Sequence, residues 1–268
     1  MFKMISIILI STFFLFANET FRSIEELSPN DKQIKEMIEK EQLEEKKSSL
    51  FEKVILPELE IYGEQKPYFK KNTNSEIIHN MEAMYEINEN EILFLISSSF
   101  EKFDCHSCIA KMSWFHLKKE KNKWNIKNKI LNRNFQFGAW GIFPIPELIK
   151  IGENDIAFKY IFTYGQGGYS NTTLLIESFK NGKFNKILTD EFAYNDTGVY
   201  EINEEHNNWE SKLTIINKNK KYYDILIEKQ GLKDLKKFYI KYLYVYKNKK
   251  YEGKILQSNK KIQFHEWG

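Results

Sequence analysis

The chain has two cysteines, in one motif, Cys105-His106-Ser107-Cys108, and their spacing admits three chemistries. The first is a disulfide. Its loop is so short that the chain-entropy argument gives about 2 kcal/mol, against nearly 5 kcal/mol for a loop of about 100 residues. Such a bridge holds one loop in shape and does not staple a fold. The second is thiol–disulfide exchange, which the C-x-x-C spacing suits. A thioredoxin-like pair, however, stands at a helix N-terminus that lowers the thiol pKa, and Ala110 to Lys119 reads as a strand. The third is metal binding by Cys105, Cys108, His106 and His116. Tetrahedral zinc takes four ligands, and no second Cys/His pair stands at a recognised spacing. Haem attachment needs C-x-x-C-H, and Ile109 occupies the histidine position. The disulfide Cys105–Cys108 is the reading adopted, with no metal and no cofactor expected.

A second conspicuous stretch is Gly165-Gln166-Gly167-Gly168-Tyr169. It lacks the Lys-Ser/Thr ending of a phosphate-binding loop, and a strand rather than a helix follows it. A wide turn or bulge is the plain reading. With Tyr164 and the upstream Gly138-Ala139-Trp140-Gly141, it can instead present an aromatic recognition surface made of Trp140, Tyr164, Gln166 and Tyr169, because glycines allow close backbone approach. The histidines at 79, 106, 116, 206 and 265 fall in no catalytic signature, and G-x-S-x-G is absent. No catalytic residue is assigned.

These candidates hang on strands. A hairpin pattern occurs three times: Met112 to Leu117, Lys121-Asn122, then Trp124 to Leu131; Thr173 to Phe179, Asn181-Gly182, then Phe184 to Leu188; and Phe238 to Tyr246, Asn248-Lys249, then Tyr251 to Leu256. Asn-Gly is the strongest of the three turns, since both central residues of a type I′ turn need positive φ. Each hairpin has a polar forerunner, at Glu86 to Ile92, Lys150 to Ile156 and Glu201 to Glu205. The repeat is therefore strand, acidic turn, strand, loop, strand, basic turn, strand, over roughly 60 residues, and such repeats bury their apolar faces against one another. Ser75 to Glu86 fits a helix or a strand equally. Lysines in the later strands read as solvent-facing alternates or as edge protection against strand addition. Pro144 and Pro146 mark an extended crossing between the first two repeats.

The N-terminus has a different character. Met1-Phe2-Lys3 precedes an apolar run from Met4 to Phe16, with Leu15-Phe16-Ala17 before Asn18. A transmembrane helix needs about 20 apolar residues, so residues 1–17 read as a cleaved signal peptide, with export to the periplasm or medium and no stable membrane anchor afterwards. Residues 18–61 form an acidic arm: Asn18 to Lys66 holds 8 basic and 13 acidic residues. Pro29 suits a first helical turn, apolar residues at Ile34, Met37, Ile38, Leu50, Phe51, Val54 and Ile55 recur at helical spacing, and Pro57 is expected to end the helix. Such a helix is expected to bury its two ends. Residues 62–268 are the β-rich repeat domain. The formal charge of +3 is too small to argue for nucleic acid, and none is expected as a partner.

The C-H-x-C loop, the aromatic strand and turn after it, Gly138-x-Trp140-Gly141 and Gln166-x-Gly168-Tyr169 within a repeated strand pattern resemble uncharacterised exported bacterial proteins with β-propeller-like repeats. The likeness spans residues 86 to 256, and the Asp-x-Asn-x-Asp-Gly calcium loops of integrin-type repeats are missing. It implies export and β architecture, and no activity. The fold expected is mainly β, with antiparallel repeated sheet units, propeller-like or an open meander, behind an N-terminal helical arm. The function expected is that of an exported, non-enzymatic binding or accessory protein of the bacterial envelope. Its partner would be an unidentified protein or envelope polymer, with thiol–disulfide or metal handling at Cys105 and Cys108 as the alternative.

Overall fold

The computed structural model describes residues 29–59, 77–100, 111–133, 144–199, 206–216 and 218–259. Chain contacts divide the protein into two bodies, Met1–Lys53 and Val54–Gly268. In the first, helix α1 (Pro29–Leu50) is polar along most of its length. Lys35–Glu39 and Lys47–Glu44 are ion pairs at helical spacing, each worth a few tenths of a kcal/mol. Ile34, Met37 and Ile38 are exposed while Leu50 is buried, so the N-terminal apolar cluster is not covered as expected. Three apolar residues over two turns make too short a stripe to hold a face down. Pro57 does not end the helical path. The chain widens into a π-helical turn at Phe51–Ile55, and a further helical turn at 56–59 contains Pro57. Proline has no N–H to give the carbonyl four residues back and its ring crowds that carbonyl; a widened turn just upstream absorbs both problems.

The second body is an open antiparallel meander. β1 (Ile77–Asn88), β2 (Glu91–Phe100), β3 (Lys111–Glu120) and β4 (Lys123–Arg133) form one sheet in chain order. β5 (Glu147–Lys150), β6 (Ile156–Gln166), β7 (Tyr169–Lys180), β8 (Lys183–Asn195), β9 (Asn208–Ile216), β10 (Asp224–Lys233), β11 (Lys236–Lys247) and β12 (Lys250–Ser258) form the other, also in chain order. The described strands thus fall into three sets of four, and the undecided segment is strand over its described part, 77–86. The meander alternative holds, with β8 and β9 joined through only three residue pairs, Ala193↔Glu210 to Asn195↔Asn208.

Two-residue turns carry the pattern. Lys121-Asn122, Asn181-Gly182 and Asn248-Lys249 have positive φ at both positions, and so do Asp234-Leu235 and Gly167-Gly168. Positive φ at both centres matches the right-handed twist of the strands. The third forerunner, Glu201 to Glu205, lies outside the described residues. The position equivalent to Glu91-Ile92 and Asp155-Ile156, at the start of each repeat's second strand, is Asp224-Ile225, preceded by the basic turn Lys220-Lys221.

Packing follows strand alternation. On one face of β5–β8, Phe158, Tyr160, Phe162 and Leu175 meet Leu93, Leu95, Met112 and Trp114 of the first sheet. On the other, Ala157, Leu174, Ile176 and Leu188 meet Ile225, Ile227 and Tyr251. Trp114 has Phe158 and Phe184 each 4.8 Å away between ring centres. Tyr85 Oη donates to the Pro146 carbonyl at 2.6 Å, tying β1 to the crossing segment. Gly182 sits at φ +72°, and a Cβ there would lie 1.8 Å from Asn128 Nδ2, whose N–H donates to Gly182 O at 2.7 Å. Gly182→Val should therefore cost about 2–4 kcal/mol in urea unfolding; an unchanged midpoint would refute the turn's role.

Candidate functional site

The strand face that carries Phe158, Tyr160 and Phe162 into the core continues outward through Tyr164 to Gln166. Tyr164↔Asn171 and Gln166↔Tyr169 are cross-strand pairs, so Tyr164, Gln166 and Tyr169 share one face of the β6–β7 tip. Tyr164 is 49% and Tyr169 39% exposed, and Tyr164 Oη donates to Gln166 Oε1 at 2.5 Å. The glycines here make a two-residue turn, narrower than the wide turn or bulge expected. Gly168 has a second reason to be glycine: its added Cβ would come 2.3 Å from Gly198 O, and Gly198 N donates to Gly168 O at 3.0 Å. The tip is thus clamped to the 3₁₀ turn Thr197–Val199. Asn195 Oδ1 accepts the Thr197 N–H at 2.8 Å, and Asp196 Oδ1 accepts that of Asn207 at 2.7 Å. Three predicted recognition residues are brought together. Trp140, Cys105 and Cys108 lie outside the described residues.

Two charged clusters lie in the interior. Arg133 of β4 forks onto Glu177 of β7, Nη1 to Oε2 at 2.7 Å and Nη2 to Oε1 at 2.5 Å, with its guanidinium 5.1 Å from the Phe184 ring centre. Burial opposes the Arg133 charge, but Glu177 outweighs it and holds the guanidinium above its usual pKa. The Tyr160 phenol is pushed up by burial and by Glu177. Lys229, read from sequence as a solvent-facing alternate, is instead 1% exposed. It shares the inward face of β10 with Ile225 and Ile227, and its Nζ donates to Asp190 Oδ1 at 2.7 Å and Glu191 O at 2.6 Å. Rings of Trp209 and Tyr242 lie 5.4 and 5.5 Å from that nitrogen. Burial pushes the Lys229 amine down while Asp190 pulls it back. A lysine with lowered pKa can serve as a base or Schiff-base former, but closure on all sides keeps this one from any substrate. Glu177→Ala, which strands a largely buried guanidinium, should cost about 2–3 kcal/mol, with Arg133→Met/Glu177→Leu recovering most of it. Chemical denaturation of the three proteins checks this, and a double variant no better than the single one would refute it.

A third arrangement was not anticipated. Between the first sheet and the β5–β6 and β7–β8 turns lies an open cleft of about 610 Å³, lined by Glu91, His116, Lys127, Asp155, Phe179 and Lys180 among others. Glu91 lies 3.7 Å from Lys118, 3.6 Å from Lys127 and 3.7 Å from His116 Nε2. Asp155 pairs with Lys180 at 3.3 Å. His116 is buried, its ring edge-on to Phe179 at 5.4 Å, and its Nε2 has no hydrogen-bond partner. Glu91 and Asp155 open equivalent strands of two repeats, so the forerunner pattern was the sequence signal for this cleft, and only their convergence was hidden.

Burial holds the His116 pKa below its usual value, partly offset by Glu91 and reinforced by Lys127 and Lys118. As pH falls through about 6.5 the unfolded chain takes up the proton first, so stability drops until folded His116 is also protonated. The thermal midpoint of the native chain should therefore fall more steeply between pH 7.5 and 5.5 than that of His116→Phe; parallel curves would refute this.

The class defined by these observations is, over the described residues, an open antiparallel β-meander in two sheets, one of four strands and one of eight. No family model matches the chain, and neither a curated protein nor a solved structure does.

Proposed function

We propose that the chain is an exported, non-enzymatic binding or accessory protein of a bacterial envelope, which contacts a protein or envelope polymer through the β6–β7 tip. The observation that carries this reading is the set Tyr164, Gln166 and Tyr169 on one exposed face, held by a glycine-to-glycine backbone contact. Tyrosine offers large contact area for few rotatable bonds and a polar end for hydrogen bonding. A clamped turn loses little freedom on binding, which is the main cost a recognition loop bears. Export is supported by the basic start, the apolar run from Met4 to Phe16 and the small residue Ala17. The modest formal charge of +3 favours neither nucleic acid nor a strongly charged surface as partner.

The test is co-sedimentation of the purified chain with an isolated envelope fraction. The double variant Tyr164→Ala/Tyr169→Ala should be retained at least about tenfold less, as expected for loss of two aromatic anchors, with its thermal midpoint unchanged. Equal retention of the two proteins would reject the tip as the contact surface. N-terminal sequencing of the exported protein should begin at Asn18; an intact Met1 would reject the processing step.

A further inference from the structure

We propose that the surface formed by the β9–β10 and β11–β12 turns binds a flexible polyanion without bases, a hydrophilic chain with regularly spaced carboxylates or phosphates. This surface is separate from the β6–β7 tip, and its assignment does not depend on what the tip contacts. The β9–β10 turn lies beside the β5–β6 turn, through the bridge Gly152↔Tyr222 and the Tyr223 N–H, which donates to Ile151 O at 2.8 Å. The tip is at the far end of β6, whose 11 residues put about 35 Å of strand between the two places.

The formal charge of +3 is a sum over the chain, and the lysines behind it are concentrated. Residues 218–223 and 247–252 hold Lys218, Lys220, Lys221, Lys247, Lys249 and Lys250, all exposed, against one carboxylate, Glu252. The two segments are held together by the Tyr222–Tyr246 stack, 4.2 Å between ring centres, and by Tyr251 Oη, which donates to Tyr223 O at 2.9 Å. Asp224, which follows the first segment, is 1% exposed and engaged with Lys220 at 2.7 Å. Glu252 accepts from Asn248 Nδ2 at 3.3 Å. On the neighbouring β5–β6 turn, Asp155 is paired with Lys180, and Glu153 is the other acid. Among the described residues, Lys218, Lys221, Lys247, Lys249 and Lys250 make no ion pair.

The other repeats show that a hairpin of this kind does not need such an excess. The residues that close the second hairpin of each set are the cross-strand pairs Glu120↔Lys123, Lys180↔Lys183 and Lys247↔Lys250. The first joins opposite charges, and in the second Asp155 takes up the charge of Lys180 at 3.3 Å. The third has neither remedy. Its preceding turn brings three lysines where the other two sets bring Glu89 and Glu91, and Glu153 and Asp155. Like charges directly opposite on neighbouring strands cost stability, and an anionic partner relieves that repulsion. Lysine is a point charge without a planar fork, which suits a succession of anionic groups better than one shaped anion. A membrane is disfavoured, since none of the exposed large apolar residues lies in either turn to insert between lipids. Single-stranded nucleic acid stacks its bases on free aromatic faces. Here Tyr222 and Tyr246 are stacked on each other, and Lys221 Nζ lies over the Tyr222 ring at 5.7 Å from its centre.

The experiment is a fluorescence-anisotropy titration of the full chain into labelled oligogalacturonate, polyphosphate of similar charge and oligothymidylate, with phosphatidylglycerol vesicles tested by co-sedimentation. At least one of the two base-free polyanions should bind saturably, and its affinity should fall about tenfold or more between about 50 and 200 mM salt, as counterion release by several lysines requires. Lys247→Gln/Lys250→Gln should weaken that binding about tenfold, with a thermal midpoint unchanged or raised because a repulsive pair is gone. A merely structural role for these lysines would lower the midpoint instead. Lys236→Gln/Lys237→Gln removes the same charge from exposed residues where β11 begins, at the other end of that strand, and should bind like the native chain. The proposal is overturned if neither polyanion binds saturably, if binding is indifferent to salt, if oligothymidylate or the vesicles bind more tightly than both polyanions, or if the two lysine variants lose affinity equally. The Tyr164→Ala/Tyr169→Ala protein should bind the polyanion normally, so failure of this surface and failure of the proposed envelope contact are told apart.

Discussion

The strands from β5 to β8 are covered on both faces, and the remainder of the β body depends on that double burial. Side chains alternate strictly, with Phe158, Tyr160 and Leu175 turned toward the first sheet and Ala157, Leu174 and Ile176 toward the last strands. At about 1.5–3 kcal/mol for each large apolar side chain removed from water, neither flank is dispensable to the middle. Exposing one face would return a row of Phe, Tyr and Leu to solvent. Each of the two interfaces also carries a charge pair, Arg133–Glu177 on one side and Lys229–Asp190 on the other. Apolar contacts tolerate sliding, whereas separated buried charges lose both their partner and their solvent. The pairs therefore fix how each layer is seated.

The same layering explains where polar groups gather. Strand ends pass beyond the covered area, so a face that is core at Phe158 becomes a tyrosine surface at Tyr164. Turns from adjoining layers meet over gaps that no side chain fills, which is how Glu91 and Asp155, far apart in the chain, come to face one cleft. Both features are by-products of stacking small sheets, and neither needs a dedicated element.

Turn chemistry and strand periodicity were the legible part of this chain. Lys121-Asn122, Asn181-Gly182 and Asn248-Lys249 marked three hairpins because few residue pairs tolerate positive φ twice in succession. Asp234-Leu235 was missed, since leucine in that conformation carries a steric cost that a sequence pattern does not advertise. Asp224-Ile225 holds the place of Glu91-Ile92 and Asp155-Ile156 at the start of a second strand, yet lysines precede it, so acidic composition does not point to it. Lys229 was taken for a surface residue, since its partner Asp190 lies two strands away and only the register reveals it. The tyrosines and glutamine of the β6–β7 tip could be grouped from sequence because they are neighbours in one hairpin. The cleft could not, for His116, Glu91 and Asp155 converge only when two sheets are laid together.

The seam between β8 and β9 has a bearing on how the chain could have grown. Three residue pairs zip β8 to β9, with one further bridge at Gly152↔Tyr222, while the side chains on either side share a common interior. A connection so slight in backbone terms and so thorough in side-chain terms lets a whole set of four be duplicated, dropped or exchanged with little re-registration of the strands that stay, provided the incoming set offers the same apolar face. Length in such a lineage is then a quantity that changes in steps of four strands, not residue by residue.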